Sequence, residues 1–576
     1  MGNGTQSEPV DVVYTDGEVL VNEAGETAEA ILLRNGRVAA VGSTAEVLQA
    51  SGPLTERQNL DGATVIPGLI DSHPHLLHFS AFQAPLVDIT GARSHDDILE
   101  AIRRKAEQTP KGEWIVTTPV GEPHYFHRRS WRDLAEGMLP DRHVLDRATQ
   151  EHPVAIQAWA PVTPNVCAMN SAALAVLGID SSTPDRVENV WIEKDATGAP
   201  TGILRGNVNN YYNFDPFFCE ILQKMPPLVQ PDLVVDPLIQ AMSGYNAFGI
   251  TTIHEAHAMD PALIDVYRGL RAQDLLTLRV KASHELEPSA MPWDERMSTE
   301  DLRARLEHAL ADRKLDDDWL RVDGITACVW GTCYSGALPW HTPYADPWGG
   351  TTTGSRWISE ENTRFAMDFC AKHGLRLSLC AGSPVEHDEF LELTAQAMKK
   401  YDLDSSGFHL YAGYMIREEQ AKRYAELGYD MTISMSFTFG KADMMAERMG
   451  PEALRLLNPL RHLVDSGLTV AASMDWGPIN PWELMQFAIT HQQGLSGRSN
   501  AGPAQVVSRQ EAFQMWTANG AKVMGWDGIG RLQPGYHADL AILDRNPITC
   551  DLDALPSTQA LRTIVGGRIV HDNGSL

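Results

Sequence analysis

Short apolar runs rich in β-branched residues recur through the middle of the chain, and most are followed by a stretch with helical periodicity. The runs lie near residues 63–75, 249–257, 277–285, 320–331, 374–382, 406–413, 429–436 and 468–477. The clearest helical stretches are 360–372, 418–427 and 510–524. Eight alternating units of this kind predict an α/β fold, a distorted (β/α)8 TIM barrel, with its chemistry at the carboxyl ends of the strands.

The two ends of the chain have a different pattern, with short strands separated by turns and no long helical periodicity. Neither end is long enough to bury a core alone, so we predict that they pack together as one small β-sandwich. The predicted domains are residues 1–66 with 530–576 for this sandwich and 67–529 for the barrel. The first and second predicted barrel strands are too far apart for one crossover, so residues 80–230 are predicted to be an insertion within the barrel domain.

Composition narrows the class of protein further. A chain of 576 residues needs more than one core, and 43% apolar with 21% charged residues is typical of soluble globular proteins. The net charge of −28 argues against nucleic acid and anionic membranes as partners. The seven cysteines without CxxC spacing favour a reducing compartment, and the polar, acidic start predicts no signal peptide. We therefore expect a cytoplasmic protein with a small-molecule substrate.

The first apolar run ends in a motif with metal-binding potential, Pro67-Gly68-Leu69-Ile70-Asp71-Ser72-His73-Pro74-His75. Residues i and i+2 of a strand point to the same face, so a strand over this motif presents two imidazoles to one side. Imidazole is the commonest protein ligand for metals. The eighth run ends in Asp475, which places a carboxylate at the end of another strand.

Several strings resemble one known family. The string from Pro67 to His75 resembles the first barrel strand of the amidohydrolase superfamily, and the strings at 535–540 and 565–570 resemble its closing strands. Strings at 170–174 and 198–205 resemble the insertion of amidohydrolase family 3, the branch that contains N-substituted formamide deformylase. The resemblance covers nearly the whole chain and implies a hydrolase of non-peptide carbon–nitrogen bonds that binds one divalent metal ion, expected to be zinc. It also implies a homodimer.

The metal site departs from the usual family pattern, which adds a bridging lysine on strand four and histidines on strands five and six. This chain has Thr326 in place of the lysine, Cys380 in place of the first histidine, and Tyr411-Ala412 in place of Glu-His. Without a bridging lysine we expect one ion rather than two, because three or four protein ligands complete a zinc site. The expected ligands are His73, His75, Asp475 and Cys380.

The resemblance also suggests the roles of these residues in catalysis. Water on the ion is the expected nucleophile, and Asp475 is the base that receives its proton. His254 and His284 lie near the ends of the second and third strands and are expected to contact substrate or replace a missing ligand. Aromatic residues at predicted loop positions indicate an apolar or aromatic substrate; they are Trp330, Tyr334 and Trp476.

Two other functions remain open at this point. The missing histidines also fit a metal-free or metal-altered relative that performs a lyase, hydratase or isomerase step, with His73, His75 and Asp475 as acid–base groups. In that case Cys380 is a small buried hydrophobe, a common role of this residue type. A non-catalytic binding protein is the third alternative, and the retained histidines and aspartate argue against it. The fold alone does not choose among the three.

Overall fold

The structure, a computed structural model, describes residues 11–576 except 23–24, 54, 82, 84, 122–128, 160–161, 258, 288–296, 495 and 501. A sheet of eight parallel strands forms its centre, and we label them in chain order as β1 (Leu69–Asp71), β2 (Ile250–Glu255), β3 (Arg279–Glu285), β4 (Leu320–Cys328), β5 (Leu377–Cys380), β6 (His409–Tyr411), β7 (Asp430–Ser434) and β8 (Val470–Ser473). The Ser72 N–H donates to the Ala472 carbonyl (3.3 Å), which brings the first and last strands together. The predicted TIM-barrel fold is confirmed.

The run predicted as the first barrel strand is two strands that belong to different sheets. Thr64–Pro67 pairs antiparallel with Leu540–Leu543 in a terminal sheet, and β1 begins only after Gly68. A Cβ atom at Gly68 would lie 2.2 Å from the Thr251 hydroxyl, so only glycine fits at this crossing between sheets. The two histidines of the motif follow β1 rather than lie in it, so strand alternation does not orient them.

Strands from both ends of the chain share one six-stranded sheet, ordered Arg568–Asp572, Ala560–Val565, Leu540–Leu543, Thr64–Pro67, Glu18–Leu20 and Thr27–Ala28. A four-stranded sheet packs against it with the order Arg37–Gly42, Ala30–Arg34, Val12–Thr15 and Glu56–Asn59, next to helix Thr44–Ala50. Apolar side chains of both sheets form one buried core. A buried ion pair between Arg279 and Asp539 (2.6 Å) connects this part to β3 of the barrel.

The segment between β1 and β2 contains a second six-stranded sheet, ordered Arg186–Val187, Val190–Lys194, Pro200–Gly206, Asn165–Met169, Val154–Ile156 and Ile115–Thr117. Its helices are Leu76–Ala81, His95–Ala106, Arg142–Leu145, Ser171–Leu177 and Pro216–Gln223, with a 3₁₀ turn at Trp131–Asp133. Helix Pro231–Asn246 packs against Leu76–Ala81 and leads into β2. This segment therefore has its own cores next to the end of β1.

The helices that cover the barrel follow its strands in the chain. They are Pro261–Ala272, Thr299–Asp312, Glu360–His373, Pro384–Tyr401, Glu418–Glu426, Ser436–Met449, Ala453–Leu456, Leu460–Asp465, Pro481–Thr490, Arg509–Met515 and Ala518–Met524, with 3₁₀ turns at Arg313–Leu315 and Leu552–Ser557. The loop after β4 carries a small hairpin, Tyr344–Ala345 with Thr351–Thr352. Within the described ranges, no helix combines the length and apolar character needed to cross a membrane.

Candidate active site

A small cavity of about 50 Å³ lies at the carboxyl ends of the barrel strands. Imidazole, carboxylate and thiol groups surround one part of it, and aromatic rings surround the rest. A water molecule occupies roughly 30 Å³ in the liquid, so the cavity has room for one or two small chemical groups. This position agrees with the rule that barrel enzymes place their chemistry at this face.

His73, His75 and Asp475 come together at one side of the cavity. The two Nε2 atoms lie 3.2 Å apart, and Asp475 Oδ1 lies 3.3 Å from His75 Nε2 and 3.8 Å from His73 Nε2. Pro74 and Asp475 form a parallel β-bridge, and the Asp475 N–H donates to the His73 carbonyl (2.9 Å). These backbone contacts align the two motifs, and they hold Asp475 in the left-handed region at φ 53°.

The geometry of this trio fits a divalent metal ion. Nitrogen and oxygen ligands of a tetrahedral site lie about 3.3 Å apart, close to the separations seen here. Burial lowers the pKa of His73 and of His75 well below the ordinary value, so both rings stay neutral, which is the form that binds a metal. All three side chains are at most 4% exposed, which shields such an ion from bulk water.

Tyr411, the last residue of β6, contacts the same trio. Its hydroxyl oxygen lies 2.5 Å from His73 Nε2, and its ring stacks on the His73 ring with centroids 3.6 Å apart. Burial raises the pKa of Tyr411, so the hydroxyl keeps its proton and can donate it to this nitrogen. The family pattern has Glu-His at this position. This chain instead has Tyr411, which is a hydrogen-bond donor and not a metal ligand.

A second group of ligand atoms lies on the other side of the cavity. His257 Nδ1 is 3.2 Å from Glu285 Oε2 and 3.7 Å from Cys328 Sγ, and all three residues are buried. The Tyr212 hydroxyl forms a hydrogen bond with His257 Nε2. The ring centroid of His257 is 5.6 Å from that of His75, so the two groups are neighbours.

Cys380 lines the same cavity, at the end of β5. It is the register partner of Cys328 on the adjacent strand β4. Among the described residues, the group of close ligand atoms at His73, His75 and Asp475 does not include Cys380, so its role as a further ligand of that group stays a prediction.

The two other predicted histidines are not among the described residues that line the cavity, which corrects the expectation for both. His254 Nε2 lies 2.8 Å from Ser283 Oγ within the barrel, three residues before His257. His284 Nε2 pairs with Asp312 on the covering helix (2.8 Å), because alternation along β3 turns His284 away from the face of Glu285. The same alternation, applied to the last residue of β3, identifies Glu285 as the inward side chain.

The three aromatic residues expected from the sequence all line the cavity. Trp476 stacks on the His75 ring with centroids 4.0 Å apart. Trp330 is fixed at its edge because the indole N–H donates to Glu389 (3.0 Å). Tyr334 is almost fully buried in the loop after β4. The cavity therefore has the apolar wall that an aromatic or alkyl substrate needs.

Two tyrosines from the insertion complete this wall, and the sequence analysis did not identify them. Tyr211 stacks on Trp476 at 5.2 Å, and Tyr212 stacks on Trp357 at 5.3 Å between ring centroids. Tyr212 adopts a left-handed backbone at φ 49°, an uncommon conformation for an aromatic residue that often marks functional sites. The consecutive Tyr-Tyr pair within the predicted insertion was the only signal in the sequence.

Two ionisable residues on covering helices also line the cavity, Lys441 and Glu386. Burial lowers the pKa of Lys441, and the negative charge of Asp475 acts in the opposite direction. Burial raises the pKa of Glu386 to about 8, although the Gly382 N–H donates to its carboxylate (2.7 Å). Sequence reasoning missed both, since a charged residue inside a helix gives no sign that it faces the barrel mouth.

Comparison with known proteins identifies the family. A model described as "Amidohydrolase family" matches residues 56–571. N-substituted formamide deformylase of Arthrobacter pascens is 26% identical over 564 residues, and this match covers 96% of this chain and 96% of that protein. The putative amidohydrolase YtcJ of Bacillus subtilis is 25% identical over 575 residues, and this match covers 96% of this chain and 97% of that protein.

A crystal structure of an uncharacterised metal-dependent hydrolase from Pyrococcus horikoshii is similar in fold, with a TM-score of 0.69 at 18% identity over 94% of this chain and 99% of that one. The predicted branch and the predicted class, an amidohydrolase-type hydrolase, are confirmed. The match of the family model extends over most of the chain, from the terminal strands through the whole barrel. The chain belongs to the amidohydrolase family.

Proposed function

We propose that this protein hydrolyses an amide-type carbon–nitrogen bond of a small apolar or aromatic substrate with the help of one divalent metal ion at His73, His75 and Asp475. The observation that carries this proposal is the convergence of three buried ligand atoms at separations typical of a tetrahedral site. When bound, such an ion supplies Lewis-acid chemistry, which polarises a carbonyl oxygen and makes water a stronger acid. Zinc is the ion we expect.

Asp475 is proposed to move the proton during hydrolysis. Its Oδ1 faces the two imidazoles, and its Oδ2 accepts a hydrogen bond from the Ser436 hydroxyl (3.4 Å). A carboxylate in this position accepts a proton from the attacking water and returns it to the leaving nitrogen. The Asp475 N–H donates to the His73 carbonyl, and this backbone contact holds the Cα atom of Asp475 next to the histidine motif.

Tyr411 and Lys441 are proposed to orient the carbonyl group of the substrate. The protonated hydroxyl of Tyr411 and the ammonium of Lys441 both line the cavity and can donate hydrogen bonds there. Donors of this kind stabilise the negative charge that develops on a carbonyl oxygen during attack. The Lys441 ammonium also lies 4.0 Å from the centre of the Phe437 ring, which keeps its chain folded over the site.

The size of the cavity favours a small acyl group. About 50 Å³ accommodates a formyl group, whereas the aromatic rings at its edge suit a larger apolar group on the nitrogen. The name of the Arthrobacter pascens relative, N-substituted formamide deformylase, is consistent with this preference. Each additional methyl on the acyl group should lower kcat/KM by about tenfold or more.

The test combines metal analysis with a matched substrate series. Full-length protein purified without chelator is analysed by mass spectrometry for metal content and assayed with N-benzylformamide and N-benzylacetamide. We expect stoichiometric metal and faster hydrolysis of the formamide. The His73→Ala/His75→Ala variant should lose this metal and the activity, while the control His284→Gln should keep both. Equal hydrolysis by the metal-depleted variant and the wild type would refute the proposed mechanism.

A second candidate is the metal-free acid–base enzyme, a lyase, hydratase or isomerase. The contact between the Tyr411 hydroxyl and His73 Nε2 favours it, because this donor–acceptor pair is complete without an ion. The same experiment separates the two candidates. Protein that contains no stoichiometric metal after purification and after incubation with zinc would support the second candidate and exclude the first.

A further inference from the structure

The second group of ligands, His257, Glu285 and Cys328, has the composition of a metal site of its own. It combines an imidazole, a carboxylate and a thiol whose ligand atoms all lie within 4.8 Å of one another. The three residues come from the loop after β2 and from the last residues of β3 and β4, so the barrel itself brings them together. None of them belongs to the first group.

The distances agree with one ion between the three side chains. In a tetrahedral zinc site, a nitrogen and an oxygen ligand lie about 3.3 Å apart, and a nitrogen and a sulfur about 3.6 Å. The observed values are 3.2 Å from His257 Nδ1 to Glu285 Oε2 and 3.7 Å from Nδ1 to Cys328 Sγ. Carboxylate and thiolate together balance the charge of a divalent cation, which removes the cost of burying them.

Tyr212 supplies the outer contact that metal-binding histidines usually have. Its hydroxyl is hydrogen-bonded to His257 Nε2. When Nε2–H donates to the hydroxyl oxygen, Nδ1 keeps its lone pair and directs it toward Glu285 and Cys328. The insertion therefore supplies an acceptor for Nε2–H in the tautomer that a metal at Nδ1 requires.

We propose that His257, Glu285 and Cys328 form a second, thiolate-containing cation site, next to the site of the proposed function and independent of it. Binding forms a bond between the metal and Cys328 Sγ, breaks the S–H bond and releases the proton to the solvent. The thiolate selects a soft or borderline ion such as zinc over magnesium or calcium. The protein thus holds two ions without the bridging lysine of the usual family pattern.

The test is a cobalt titration of the full-length protein after removal of metal by a chelator, in the presence of a thiol-free reductant. Cobalt bound by a thiolate absorbs in the near ultraviolet, whereas cobalt bound only by nitrogen and oxygen does not show this band. We expect two equivalents of cobalt per chain and the thiolate band. Cys328→Ser should abolish the band and one equivalent, and His73→Ala/His75→Ala should abolish the other equivalent and keep the band.

Two further variants separate loss of metal binding from loss of the folded structure. Glu285→Gln keeps the shape of the side chain and should weaken the band-forming equivalent at least tenfold, with unchanged circular dichroism. Cys370→Ser changes a buried cysteine of helix Glu360–His373 outside the cavity lining and should keep both equivalents and the band. Wild-type protein that shows no thiolate band, or a band that persists in folded Cys328→Ser, would overturn the proposal. Failure of the amide assay would not affect it.

Discussion

The two sides of the barrel mouth offer similar ligands but assemble them in different ways. On the side of β1 and β8, His73, His75 and Asp475 belong to family motifs, and a β-bridge between Pro74 and Asp475 aligns them. On the side of β2 to β4, the ligands come singly from three successive units and meet only because the barrel curves. The ligand group of the first side can be identified from sequence motifs, whereas the ligand group of the second side can be identified only from the three-dimensional structure.

The largest expected effect concerns Asp475 on the first side. Asp475→Asn keeps the size of the side chain but removes the base, so kcat for amide hydrolysis should fall by about 10² to 10⁴-fold. Steady-state kinetics with saturating zinc separates this loss from weaker metal binding. A variant with kcat within threefold of the wild type would show that Asp475 does not move the proton.

Each side of the barrel mouth has one tyrosine whose hydroxyl contacts a histidine, so the same Tyr→Phe substitution can be made on both sides. Tyr411→Phe removes the hydroxyl from His73 Nε2, and Tyr212→Phe removes it from His257 Nε2. His257 Nε2 is the ring nitrogen that faces away from the proposed metal, so loss of its outer hydrogen bond in Tyr212→Phe should weaken that site about 10 to 100-fold. His73 Nε2 faces the proposed metal, so Tyr411→Phe removes a competing hydrogen bond and should not weaken the first site. Competition with a chromophoric chelator measures both affinities. Equal weakening of both sites by either variant would show that the two sides are not independent.

The barrel could be predicted from the sequence because each of its strands is indicated by a short local pattern. Each of the eight strands carries its own apolar run, and the histidine motif and Asp475 follow the first and last of them. The apolar run over residues 63–75 was predicted as one strand but serves two sheets, and it changes sheet at Gly68, next to the predicted domain boundary between residues 66 and 67. Which side chains of a strand point into the barrel depends on the exact residue at which the strand ends, and the sequence does not give that residue. For this reason His284 was predicted at the site instead of its neighbour Glu285.

The insertion shows a second limit of local reasoning. Tyr211 and Tyr212 reach the mouth from a segment that follows a separate sheet, more than 130 residues after His75 in the chain. Their contacts with Trp476 and His257 depend on how the insertion packs on the barrel, and no periodicity encodes that packing. Non-local contacts of this kind, rather than weak propensities, account for the site residues that were missed.

A smaller effect is expected from Glu386, which lies at the mouth outside both ligand groups. Burial raises its pKa to about 8 from an ordinary value of 4.5. The folded protein therefore holds this proton between about pH 4.5 and 8, where the unfolded chain has released it, so stability falls as pH rises through that window. Glu386→Gln removes this dependence, which amounts to at most about 1.4 kcal/mol per pH unit. Denaturant unfolding of both proteins at about pH 5 and pH 8 measures the difference; parallel pH profiles would contradict the expectation.

The smallest effect is expected from His284, the histidine that lies next to Glu285 in sequence but faces the other way. His284→Gln removes the hydrogen bond to Asp312, which still pairs with Arg268 (2.8 Å), so the loss of stability should be about 1 kcal/mol. Both metal affinities and kcat should stay within twofold of the wild type. Thermal unfolding and the chelator competition measure these quantities. Loss of either ion in this variant would mean that β3 directs His284 toward the barrel mouth. Glu285 would then point away from the mouth and could not be a metal ligand.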